Sequence, residues 1–210
     1  MTAIFEALRA GDSARVHQLL RESPALARER TDDGVSATLW AMYVGAPELA
    51  GAIAAAAGEL DLFEAAALGD VGRLAALLAA DPGAVAGRTG DGFTALHLAA
   101  FFGRAEAAQA LLAAGAVVDA ASDNHMRVTA LHSATAGGHV RVVAALLSAG
   151  ANPRARQNGG FTPLHAAAMN GDRESVNLLL AAGADPAEAA DNGCTPAETA
   201  PAEVADLLRT

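Results

Sequence analysis

At 210 residues and a formal net charge of −10, with Arg supplying all 14 basic residues, the chain is ill suited to gripping nucleic acid or an anionic membrane, where phosphates must be neutralised. Apolar residues make up 52% but aromatics only 4%, so Ala, Leu and Val must fill the interior. Such side chains suit close helix–helix packing better than a sheet sandwich.

The chain opens with Thr2 and "IFEALRAGDSARVHQLLRESP", which predicts a short helix ending near Gly11 and a second helix behind it. "SATLWAMYVG", from Ser36 to Gly45, repeats the plan and leads into the Ala-rich "LAGAIAAAAG". From Leu60 the opening returns. "LFEAAALGDVGRLAALLAADP" matches the segment from Ile4 at an offset of 58, and the same offset carries "DDGVSATLWAMYVG" onto "GDGFTALHLAAFFG". "TALHLAAFFG" from Thr94, "TALHSATAGG" from Thr129 and "TPLHAAAMNG" from Thr162 follow at spacings of 35 and 33, and "TPAETA" from Thr195 is a decayed copy 33 further on. Units therefore start near residues 2, 36, 60, 94, 129, 162 and 195.

Five residues into each unit stands an Ala (Ala7, Ala41, Ala65, Ala99, Ala134, Ala167, Ala200), small enough for neighbouring helices to approach closely. A Gly closes the first helix, and Gly115, Gly150 and Gly183 close the second. An extended segment then ends in "DG", "GG" or "NG", a β-turn signal.

The T-x-L-H motif, the 33-residue period and the Gly-Ala helix ends resemble the ankyrin repeat, most strongly from Asp91 to Gly193. The resemblance implies an all-α repeat solenoid. It would be an ankyrin-type stack of helix–turn–helix units with short β-hairpin fingers, one domain over residues 1–210 with a truncated C-terminal cap. It also implies a concave groove, lined by fingers and first helices, that binds another protein. Three departures stand out. Only 24 residues separate Gly45 from Gly69, which predicts a missing finger and a gap in the finger row. Arg127 stands where its relatives have the turn Gly. Pro201 is placed to open a shortened last helix.

His97, His132 and His165 are the obvious metal candidates, but they repeat along a stack whose helices lie about 8–10 Å apart. Zinc needs its nitrogens about 2.0–2.1 Å from one ion, so the row cannot converge. The resemblance implies imidazoles bonded to turn backbone instead. His17, His125 and His139 lack partners at a useful spacing, and Cys194 reads as a buried or half-buried thiol. No phosphate loop, nucleophile elbow or paired-Cys motif occurs. The expectation is a protein that is not an enzyme and needs no cofactor or metal.

The lone Cys194 excludes an internal disulfide. "MTAIFEALRAGD" lacks the basic-then-apolar order of a secretory leader, and Leu49–Gly58 is too short to span a bilayer. The expected location is cytoplasmic. Abundant Ala, Arg and Gly without Lys fit GC-rich coding, as in many bacteria.

In the ankyrin pattern the two residues before the first-helix Gly face the groove. They include Tyr43, Phe101, Phe102 and Met169, an apolar stripe that reads as partner anchors, with Phe93, His125, Met126, Arg127, Arg154, Arg156 and Phe161 on fingers. Trp40, Tyr43, Leu68 and Phe101 could alternatively fill the hole left by the missing finger. No Asp or Glu lies between Asn124 and Gly171, whereas Arg127, Arg141, Arg154 and Arg156 do; this predicts an acidic segment on the partner. The expected function is a non-catalytic protein–protein interaction module, monomeric or weakly dimeric. The alternative is a structural homodimer through the apolar stripe.

Overall fold

The computed structural model describes residues 2–209. Helices come in pairs joined by tight turns: α1 (Ala3–Arg9) with α2 (Ser13–Glu22), α3 (Ala37–Tyr43) with α4 (Pro47–Ala57), α5 (Leu62–Leu68) with α6 (Val71–Ala80), α7 (Ala95–Phe101) with α8 (Ala105–Ala113), α9 (Ala130–Ala136) with α10 (Val140–Ser148), and α11 (Pro163–Met169) with α12 (Arg173–Ala181). Two single turns, α13 (Pro196–Thr199) and α14 (Ala202–Ala205), follow, with Pro201 as the N-cap of α14. No helix among the described residues is long and apolar enough to cross a membrane.

Helices this short are marginal alone, so caps and packing must hold them. Thr94, Thr129 and Thr162 each form a capping box with the His three residues on. The third unit begins one residue later than Leu60: Asp61 is its N-cap, boxed with Glu64. First helices stack side by side, α5 on α7, α7 on α9 and α9 on α11. Ala65, Ala99, Ala134 and Ala167, fully buried, set the close approach. Three units also seal the first helix of the unit before them. Arg104 Nε donates to the Ala67 carbonyl, His139 Nε2 to that of Phe101 and Asn170 Nδ2 to that of Thr135, covering C-terminal carbonyls that the helix leaves open.

The fingers are turns without strands. Each is closed by a backbone bond across its base, such as Thr89 N–H to the Phe93 carbonyl or Gln157 N–H to that of Phe161, and by another within the turn, such as Gly92 N–H to the Thr89 carbonyl; among the described residues one isolated bridge joins Arg30 to Ser36. The expected β-hairpins have no strand among the described residues, and successive fingers are joined by a backbone bond at three places. Asp123 N–H reaches the Gly92 carbonyl, Asn158 N–H that of Met126 and Asp191 N–H that of Gly159. Arg127 takes φ 53 at the turn position that relatives give to Gly, a conformation uncommon for a side-chain-bearing residue.

After α4 the chain passes directly to α5 with no finger, as the short spacing implied. The expected gap in the finger row is absent, however. The fingers at 30–36 and 88–94 close up so tightly that a Cβ on Gly90 would overlap the Asp33 carbonyl. The small, buried Ala67 on α5 lets α3 and α7 side chains meet across it: Tyr43 and Phe102 rings lie 5.8 Å apart. On the other side of the stack α4 and α6 barely meet. Two apolar cores result. One is built on α1–α4 with Ala67 and Leu98, and the other runs from Leu62 to Leu208.

Candidate partner-binding groove

First helices and fingers together line two adjoining open chambers. The first, about 310 Å³, is bounded by Tyr43, Asp91, Phe93, His97, Leu98, Phe101, Met126 and Ser133. The second, about 270 Å³, runs on from Phe93, Phe101, Met126 and Ser133 to Val128, Gln157, Phe161, Ala166 and Met169. Phe101 and Met126 stand in the shared wall, Phe101 on the last turn of α7 and Met126 at a finger tip. Three apolar side chains there are open to solvent: Phe101 at 45%, Met126 at 38% and Met169 at 57% exposure.

The walls are held rigidly. The Phe93 and His97 rings meet at a tilt, 5.8 Å apart, and those of Phe161 and His165 edge to face at 5.2 Å. Tyr43 Oη donates to Asp91 Oδ2 at 3.0 Å, and burial, with the facing Asp91 carboxylate, pushes the phenol pKa up. His139 holds the Phe101 carbonyl at 2.8 Å. Beneath, Nδ1 of His97 accepts from Thr94 N–H and its Nε2–H donates to the Val128 carbonyl; His132 does the same with Thr129 and Phe161, and His165 with Thr162 and Cys194. Both nitrogens of each ring are therefore occupied, in the neutral form. Burial lowers all three pKa values, that of His132 to about 4. Cys194 is half-buried.

The groove thus gathers Tyr43, Phe93, Phe101, Met126, Phe161 and Met169. Neighbours in sequence part company at α7. Phe101 is exposed, whereas Phe102, the C-cap residue, turns against Tyr43 and joins the N-terminal core. Of the four residues expected to fill the hole, Trp40, Tyr43 and Leu68 pack on this core and Phe101 does not; Phe102, read from the sequence as a partner anchor, takes its place. His125 and Arg127 sit on the Met126 finger but line neither chamber.

The basic patch needs correcting. Arg154 pairs with Asp185 and Glu188, Arg156 with Glu188 and Asp191, and Arg141 with Glu106. Three of the four Arg thus meet carboxylates of this same chain, which removes the ground for expecting an acidic partner segment. The sequence run without Asp or Glu hid this, because the acids come from adjacent units. Asp91, Ser133 and Gln157 were missed as lining residues; only the "DG" turn signal marked Asp91's finger.

The family model described as ankyrin repeats (three copies) matches residues 62–157 and again 118–190, which together exceed half the chain. A curated relative, a probable E3 ubiquitin-protein ligase (XBOS31) of Oryza sativa subsp. japonica, is 53% identical over 66 residues, covering 30% of this chain. The match spans 15% of that protein's length. With its stacked helix pairs, Thr–His capping boxes and turn-built fingers, the chain belongs to the ankyrin repeat family.

Proposed function

We propose that this chain is a non-catalytic interaction module of the cytoplasm that holds a partner protein in its groove, with Phe101 as the central anchor. Ankyrin repeats are in general protein–protein interaction modules. The observation that carries the reading is the exposed Phe101–Met126 wall between two apolar chambers, since contiguous exposed apolar surface marks interaction sites. The ligase activity in the rice relative's name is not carried over, because so little of that protein is matched.

The test is capture from lysate with wild type and Phe101→Asp as baits. Phe101 is 45% exposed and outside both apolar cores, so the variant should keep its circular dichroism spectrum, and central aromatic anchors are worth about 2 kcal/mol or more. A partner held by wild type should bind roughly thirtyfold more weakly to the variant. Equal retention by both baits would remove Phe101 from the site. Light scattering over a wide concentration range tests the homodimer: a strict monomer rejects it.

A further inference from the structure

We propose that the groove's occupant is a basic peptide segment of the partner: two apolar side chains fill the two chambers, and flanking Lys or Arg lies over the first fingers. This rests on the groove reading above and adds the chemistry of what it takes. The chambers, at about 310 and 270 Å³, lie near the lower limit of small-molecule sites and share one wall. Side chains from a single segment can enter both at once. The second chamber also offers a backbone hold. The side-chain amide of Gln157 is half-buried, lines the chamber, and has no hydrogen-bond partner among the described residues. One donor and one acceptor are what a peptide unit needs.

Charge decides the flank. The backbone of Asp33 and of Asp123 runs close against Gly90 and Gly92, on either side of the finger whose Asp91 and Phe93 line the first chamber. Their carboxylates and that of Asp32 are exposed, with no ion pair among the described residues. The Arg30 and Arg88 guanidiniums are turned down onto the Gly34 and Gly92 carbonyls, and Arg30 is also paired with Asp61. At the far end Arg154 and Arg156 are already matched by three acids. On the first three fingers the carboxylates of Asp32, Asp33, Asp91 and Asp123 outnumber Arg88 and Arg127, the two Arg there with no ion pair among the described residues, and a rim of net negative charge beside an apolar pocket favours the opposite sign on its ligand. An acidic segment would meet like charge.

The experiment is selection of a random dodecapeptide display library on the full-length chain. Three baits are compared: wild type, Phe101→Asp, and the charge variant Asp32→Asn/Asp33→Asn/Asp123→Asn, each checked for an unchanged circular dichroism spectrum. Wild type should enrich peptides with two apolar residues flanked by Lys or Arg. The charge variant should bind those peptides roughly tenfold more weakly and lose most of the salt dependence, and Phe101→Asp should not enrich them. Enrichment of acidic or uncharged peptides, or affinity indifferent to the charge variant, would overturn the basic-segment proposal while leaving the groove in place. Equal enrichment by Phe101→Asp would overturn the groove reading itself. No enrichment by wild type would overturn peptide recognition.

Discussion

Helices α1–α4 and the stack from α5 onward follow one repeat plan but cohere by different means. The C-terminal stack is stitched by a polar ladder. Each Thr–His box fixes the start of a first helix, and the same imidazole reaches the carbonyl of the next finger. Its apolar filling is small, mostly Ala and Leu. The N-terminal pair has no such His. Ser36 caps α3 and Thr2 makes no side-chain cap to α1, and cohesion comes from larger side chains, with Phe5 and Trp40 edge to face at 5.9 Å in a core with Leu39 and Ile53. That packing leaves the Trp40 indole N–H without a partner, and the C-terminal stack bears the same kind of cost at Ser175 Oγ and Asp172 Oδ2. A repeat that recurs in register can use one directional contact many times; a unit out of register must rely on non-directional packing.

The largest expected effect separates the two cores. Ile53→Ala empties a fully buried site in the N-terminal core and should cost about 2–5 kcal/mol. Trp40, the single Trp, lies in that core. In urea its fluorescence should then change well before far-ultraviolet circular dichroism, which reports the whole chain. Coincident transitions would mean that the cores unfold as one.

Acid should act on the other half. The folded-state pKa of His97, His132 and His165 lies below the unfolded value of about 6.5, so the unfolded chain binds protons first. The stability these residues contribute is present above pH 6.5 and is lost as pH falls through their lowered folded-state values, for His132 towards about 4 and by up to about 3 kcal/mol. Hydrogen exchange should show α7–α11 loosening in this window before α1–α4. His132→Gln should flatten the pH dependence there.

The smallest effect probes the seam. Tyr43→Phe keeps the contact with Phe102 but deletes the bond to Asp91, at an expected cost of about 0.5–1.5 kcal/mol. The loss should appear in the Trp40 transition more than in the C-terminal stack. An equal shift in both would show that the seam transmits strain freely.

Much of this architecture is legible in the sequence because it is local. Thr, His, Ala and Gly recur at spacings that encode a cap, a packing contact and a helix stop within one unit. Contacts between units are not local and were misjudged. Arg154 and Arg156 read as a bare patch because Asp185, Glu188 and Asp191 lie about thirty residues onward. Phe101 and Phe102 differ by one step along the chain, but the helix ends between them, so one faces solvent and the other Tyr43. The closing of the finger row depends on the shortness of Ala67, whose significance shows only when α3 and α7 are seen on either side.

The finger omitted before α5 also bears on curvature. On the groove side the fingers at 30–36 and 88–94 touch, while on the outer side α4 and α6 barely meet. Removing a finger without removing its helices makes that unit a wedge, like a keystone with its narrow edge inward. The arc should bend most sharply beside the first chamber, so finger deletion sets the radius of a solenoid independently of the number of units in it.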